Sequence, residues 1–264
     1  MIKVLGNNIV NAFTGGNPVN AIYSYGQLVW KRNTTKIIYT SKDGQVVNPY
    51  DSTVFGGANI LSNKYSNGVG IIEFDSSVKE IGQNAFKNTA QLDTMILPSS
   101  VTNIKAFAFQ SSGITDITIP STVTYINSGA FFHSKLVSIV IPASVKMMGP
   151  SVFLSCDSLT NVSISTSLNL LDDSMFSGCK SLVSITIPDN ITSIGNDLFY
   201  NCSKLSEIRF DSIVPPEVLL GTDETEHLFE GNAPGRLIKV PAGSVNAYKT
   251  AQYWSNDADS IVSQ

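Results

Sequence analysis

The sequence predicts a β-rich solenoid of about six regular coils, 22–23 residues each, with an N-terminal β-meander and a C-terminal cap. Six phenylalanines, Phe86, Phe109, Phe131, Phe153, Phe176 and Phe199, follow one another at intervals of 23, 22, 22, 23 and 23 residues. The same apolar pattern returns around each of them. One such unit cannot bury its own apolar side, so successive units must stack, and stability propagates from neighbour to neighbour.

Residues 1–35 stand outside the repeat. Turn signals at Gly6-Asn7-Asn8 and Gly15-Gly16-Asn17-Pro18 separate short apolar stretches that end in Ala21-Ile22-Tyr23-Ser24-Tyr25-Gly26-Gln27-Leu28-Val29-Trp30. That punctuation reads as a small β-meander, an attachment segment too short to be stable alone. It is expected to dock on the first coil or on another subunit, with Tyr23, Tyr25 and Trp30 as contact residues. Residues 36–70 read as the opening cap of the solenoid, 71–210 as its coils and 211–264 as its closing cap.

Within each coil an apolar position precedes the phenylalanine: Ile81, Ile104, Ile126, Met148, Leu171 and Ile194. Three residues further back stand Val78, Val101, Val123, Val145, Leu168 and Ile191. After the phenylalanine comes a Leu-x-x-Ile-x-Ile-Pro segment, as in Leu136–Pro142 and Leu182–Pro188. Its period of two marks a strand with one face inward, and proline, which cannot donate to a ladder, stops it.

The chain has 264 residues, 42% of them apolar and 14% charged, the profile of a packed, weakly charged β protein rather than a disordered one. Seventeen basic and twenty-one acidic residues give a net charge of −4, and no Lys/Arg cluster is present to track a phosphate backbone. Nucleic acid is therefore excluded as a partner. No apolar window reaches the roughly 18–20 residues that cross a bilayer, so membrane insertion is not expected. The first residues turn polar before a signal-peptide core could form; with Met1 as the natural start, export by an ordinary signal is not expected.

The repeat resembles the BspA-like leucine-rich-repeat family of bacterial surface proteins, whose units run through Ile-x-Ile-Pro, Ser-Val-Thr, Ile-Gly, Ala-Phe, Cys and Leu. Ile187-Pro188-Asp189-Asn190-Ile191-Thr192-Ser193-Ile194-Gly195 and Ile81-Gly82-Gln83-Asn84-Ala85-Phe86 carry the resemblance. The flanks are similar too: Ile37-Ile38-Tyr39-Thr40-Ser41-Lys42-Asp43-Gly44 with Gly70-Ile71-Ile72-Glu73-Phe74 at the start, and Val240-Pro241-Ala242-Gly243-Ser244-Val245-Asn246-Ala247-Tyr248-Lys249 at the end. The resemblance implies adhesion or ligand recognition outside the cell, not catalysis. Being an analogy of fold, it names no ligand.

Residue chemistry points the same way. Cys156, Cys179 and Cys202 share one repeat slot and read as buried, reduced thiols, because zinc needs four converging ligands and only His133 and His227 could join them. Neither histidine sits in a nucleophile motif, and the acidic residues Asp172, Asp173, Asp223, Glu224 and Glu226 lack the alternating ligands of a calcium loop. The expectation is a protein with no catalytic residue, no metal and no cofactor.

Two outward columns are candidate surfaces. Thr94, Asp116, Ser138, Asn161, Ser184 and Glu207 form one strand ladder, beside Ile96, Thr118, Val140, Ser163, Thr186 and Arg209. Short hydroxyl, amide and carboxylate groups there suit hydrogen bonding to sugar or peptide at little entropic cost, or are simply a soluble sheet face. In the second column, Glu80, Asn103, Tyr125, Met147, Leu170 and Ser193, three adjacent coils replace polar residues with Tyr125, Met147 and Leu170. They form either a partner-binding apolar patch or a strip covered by the chain's own loops.

Tyr25-Gly26-Gln27-Leu28-Val29-Trp30 is similar to short segments of tailed-phage virion proteins, which implies attachment. On that footing the expected role is a virion appendage or fibre-like protein recognising a bacterial surface, joined to other virion proteins through residues 1–35 and possible as a homotrimer. The alternative is a bacterial cell-surface adhesin binding host protein or glycan.

Overall fold

The computed structural model describes residues 34–220 and 227–264, together with the backbone of five strands within residues 2–31. Ile2–Leu5 pairs antiparallel with Asn8–Thr14, which pairs with Asn17–Pro18; Ala21–Ser24 pairs with Gln27–Lys31. The docking expected of this segment, and the side chains of Tyr23, Tyr25 and Trp30, lie outside the described residues.

The solenoid opens with an inverted strand. Lys36–Ser41 runs antiparallel to Val69–Phe74 on one edge and to Leu92–Ile96 on the other, so both edges are paired and Ile37, Ile38, Tyr39 and Thr40 are buried. Ile60–Ser66 closes the hairpin outside Val69–Phe74. Opposite Tyr39 stands Gly70, where a Cβ would lie 2.0 Å from the tyrosine ring. The ring is pinned over that glycine because its hydroxyl donates to Asn63 Oδ1 (2.8 Å) and accepts from Val47 N (3.1 Å).

From Leu92–Ile96 onward the pairing is parallel, with Ile or an equivalent facing inward at alternate positions. Asp116–Thr118 pairs with Leu92–Ile96, Ser138–Val140 with Asn161–Ser163, and Ser184–Ile187 with Glu207–Phe210. Leu237–Val240 and Ile261–Ser263 extend the last of these ladders. A second column holds the two-residue strands Glu80–Ile81, Asn103–Ile104, Tyr125–Ile126 and Met147–Met148. It resumes with Leu170–Leu171, Ser193–Gly195 and Glu217–Leu219.

Between the columns the chain turns a corner around each phenylalanine. The rings of Phe86, Phe109, Phe131, Phe153, Phe176 and Phe199 stack 5.2 to 5.8 Å apart and within 10° of parallel. Phe229 continues the stack at 6.2 Å, and Phe55 closes the other end edge-on to Phe86 at 6.0 Å. Both lie off the 22–23-residue spacing, which is why the sequence pattern counts only the six between them. Backbone bonds stitch each corner to the next: Phe86 N donates to Ala108 O, Phe109 N to Ala130 O and Phe131 N to Val152 O.

At the far end, the helix Val245–Thr250 and Trp254 cover the last coils. Trp254 meets Phe210 and Tyr248 edge-on, at 5.0 and 4.9 Å, and its indole N–H donates to Pro216 O (2.9 Å). Arg236 lies over the Phe229 ring at 4.8 Å and pairs with Asp257. A solenoid end needs such a cover because no further coil shields its core.

Candidate functional site

In the two columns of parallel strands the inward side chains, such as Ile117, Ile139, Ile185 and Ile208, are buried, so on these strands binding chemistry must come from the outward positions. The first ladder is in register as expected, with Thr94 opposite Asp116, Ser138 opposite Asn161 and Ser184 opposite Glu207. These pairs belong to three successive ladders rather than one uninterrupted sheet. Asn161 and Ser184 are exposed and the other four half-buried. At the start of the column Thr94 is engaged, its hydroxyl 2.8 Å from that of Thr40; at the far end Glu207 pairs with Lys239 (2.7 Å). In the neighbouring column Val140, Ser163, Thr186 and Arg209 are exposed, whereas Ile96 and Thr118 are half-buried.

The second column also takes its expected register, Glu80, Asn103, Tyr125 and Met147 lying side by side on successive coils. Met147 is 64% exposed, and Tyr125 and Leu170 are half-buried. The apolar patch is thus a single protruding methionine between two partly sunken neighbours.

The thiols occupy a hydrogen-bonding slot that the sequence reading treated only as apolar. Cys156, Cys179 and Cys202 donate to the carbonyls of Phe131, Phe153 and Phe176 at 3.0, 3.2 and 3.0 Å. On the last coil Asn232 Nδ2 makes the equivalent bond to Phe199 O (2.7 Å). Thr89, Ser112, Ser134 and Asn232 fill the same position with other small polar side chains, though Thr89 donates to Phe86 O of its own coil and Ser112 Oγ has no partner among the described residues. Burial pushes the Cys156 and Cys202 thiols up to about 12, and Cys179 well above its ordinary value. They are neutral at physiological pH, whereas thiolates are what attack or bind metal.

A stability effect follows. The folded Cys156 and Cys202 thiols hold their protons up to about pH 12, and Cys179 is raised in the same direction, while unfolded thiols release theirs near 8.5–9. Between those values the native state binds more protons, so its stability falls as pH rises, and below the lower value the contribution is complete. Buried Tyr248 acts in the same direction, its phenol raised mainly by burial. Replacing all three cysteines with serine is expected to shrink the loss of urea midpoint between pH 8 and pH 11; an equal loss in both proteins would overturn this account.

The remaining polar candidates are engaged locally. Asp172 Oδ1 accepts from Asp173 N (2.8 Å), and Asp173 Oδ1 accepts from Asn196 N (2.9 Å), so both cap backbone turns. His227 Nδ1 lies 3.6 Å from Glu230 Oε2, and exposed His133 sits in a left-handed turn beside Phe132. Among the described residues no group of three His, Cys, Asp or Glu side chains is placed to hold a metal. No helix among them is long and apolar enough to cross a membrane.

One feature had no counterpart in the sequence reading. The loop around Thr53–Gly57 folds back on the first coil, where Gly82 N donates to Val54 O (2.7 Å) and Tyr50 N to Ala85 O (2.8 Å). The next coils lack this cover, and the step leaves an open groove of about 460 Å³ lined by Thr53, Val54, Glu80, Gln83, Lys105 and Asn127, among others.

Residues 60–180 and 146–215 match, in six copies, the family described as BspA type Leucine rich repeat region. No curated protein is similar to the chain. Among solved structures it is similar to the pneumococcal vaccine antigen PcpA, at 24% identity over 58% of this chain and 39% of that one, with a TM-score of 0.48. It is also similar to a leucine rich cell surface protein from Faecalibacterium prausnitzii A2-165 (22% identity, 68% and 59% covered, TM-score 0.34). A leucine-rich repeat protein from Bacteroides ovatus ATCC 8483 is similar at 24% identity, with 69% and 62% covered and a TM-score of 0.35. The chain spans less than two thirds of the length of each of these proteins.

Proposed function

This chain belongs to the BspA-type leucine-rich-repeat family, and from that premise we propose that it is a non-enzymatic binding protein of a bacterial cell surface that recognises a protein or glycan. The observation that carries the proposal is the outward face of the strands. Asn161 and Ser163, in register with Ser138 and Val140, and Ser184 and Thr186, in register with Glu207 and Arg209, are exposed and short, so little entropy is lost when a partner orders them. Among the described residues the three thiols are buried and neutral, and Asp172 and Asp173 accept from backbone N–H groups, which supports the non-enzymatic reading.

The test is binding of purified chain to bacterial and host cells by flow cytometry, comparing wild type with an Asn161→Arg/Ser184→Arg variant. A loss of about tenfold or more in apparent affinity at unchanged melting temperature is expected from blocking a binding face. Equal binding by both proteins would remove the face from consideration. Immunogold labelling of the natural source, separated into cells and extracellular particles, tests the location: label on the cell envelope is expected. The virion placement rests on the likeness of residues 25–30, whose side chains lie outside the described residues, and gold on phage particles would favour it.

Met147 is a second contact point, for another subunit or a partner. Met147→Glu places a charge on a 64%-exposed side chain outside the core, so melting should be unchanged while self-association, read by sedimentation velocity, weakens. Unaltered sedimentation of an associating protein would remove the contact.

A further inference from the structure

We infer that the groove between the opening loop and the first three coils is a binding site for a neutral saccharide. It is separate from the strand face proposed above, since Ser138, Asn161 and Ser184 belong to other strands than those beside the groove. Its wall is the Thr53–Gly57 loop. Gly56, in a left-handed conformation (φ 68°), lets that loop lie against Glu80, where a Cβ would already be 3.2 Å from Glu80 Cγ. Its floor is formed by the corners of the following coils, through Gln83, Lys105, Ala106 and Asn127.

The polar groups are mixed in kind and balanced in charge. Lys105 Nζ lies 3.2 Å from Glu80 Oε2, so the two formal charges in the groove neutralise each other. That arrangement offers no net attraction to an anion or a cation. Asn127 spends its carbonyl oxygen on Ser128 N (2.7 Å) and on the Tyr125 hydroxyl (3.2 Å), which leaves its amide N–H groups as donors. Gln83 is exposed, and its amide has no partner among the described residues, so it supplies both a donor and an acceptor. Sugar hydroxyls each donate and accept, and a site with donors and acceptors at several points and no net charge complements them. The volume falls within the range of small-ligand sites.

The test uses the full chain against an array of neutral and acidic oligosaccharides, followed by titration calorimetry with the neutral disaccharide that binds best. Ala106→Trp fills the groove and should abolish binding. Asn127→Asp keeps the acceptor for Ser128 N but removes the amide donors, and together with Gln83→Ala should weaken binding about tenfold, as expected for lost hydrogen bonds. The Gln83→Ala change touches no internal partner, so the result stands even if Ala106→Trp fails to fold. Binding should be insensitive to salt. Asn161→Arg/Ser184→Arg should leave it unchanged, which separates this site from the strand face. Absence of any saccharide binding, preference for acidic sugars, or binding unaffected by the groove variants would overturn the inference.

Discussion

Phe153→Ala is expected to destabilise the protein by about 3–5 kcal/mol, the cost of a buried phenylalanine replaced by a cavity. Phe153 is fully buried and lies between Phe131 at 5.7 Å and Phe176 at 5.6 Å, both nearly parallel to it. The neighbouring coils are held at fixed spacing by their own backbone bonds, such as Phe131 N to Val152 O and Phe153 N to Met175 O, so the gap cannot collapse. In a stack where each coil touches only its neighbours, weakening one interface loosens the coupling between the two halves. The melting temperature should therefore drop by about 10 °C, and the calorimetric enthalpy should exceed the van't Hoff value because the halves no longer melt together. A single cooperative transition at the wild-type temperature would contradict this view of the spine.

Gly70→Ala carries the next largest effect, about 2–3 kcal/mol, by overpacking. The added methyl would sit 2.0 to 2.4 Å from three atoms of the Tyr39 ring. Tyr39 is 1% exposed and tied at its hydroxyl to Asn63 and Val47, so it has no rotamer into which to retreat. The strands on both sides of Lys36–Ser41 would have to separate, and the inverted strand is what seals the first coil. Gly243→Ala is the control: nothing stands within 4 Å of its Cβ position, and urea midpoints should show it within about 0.5 kcal/mol of wild type. Equal midpoints for both variants would show that the tyrosine yields.

Much of this was legible in the residues, for an identifiable reason. The spacing from Phe86 to Phe199 follows from a stacked spine, because each coil must return its ring to the same place above the last. The alternation of Ile-x-Ile likewise sorts inward from outward side chains. Phe55 and Phe229 escaped the pattern because the coils that carry them are longer. Whether Met147 protrudes depends on what packs over it, and a single column of the sequence holds no such information; 64% exposure settles it. The groove was invisible for a deeper reason. It depends on the contacts Gly82 N to Val54 O and Tyr50 N to Ala85 O, across 28 and 35 residues, which no periodicity encodes. The thiol slot lay between these cases: its column of Thr, Ser, Cys and Asn marked a small polar position, and in the Cys and Asn coils that position donates to the Phe carbonyl of the preceding coil.

The repeated corner also sets how the molecule bears load. Under tension between its two ends, a coil that has lost its outer neighbour has only one interface left to hold it, so coils detach in sequence instead of rupturing together. Each detached coil of 22–23 residues adds about 75 Å of extended chain. Under a pull the chain lengthens by nearly equal increments, spreading the work over many small events while the undisturbed coils stay folded.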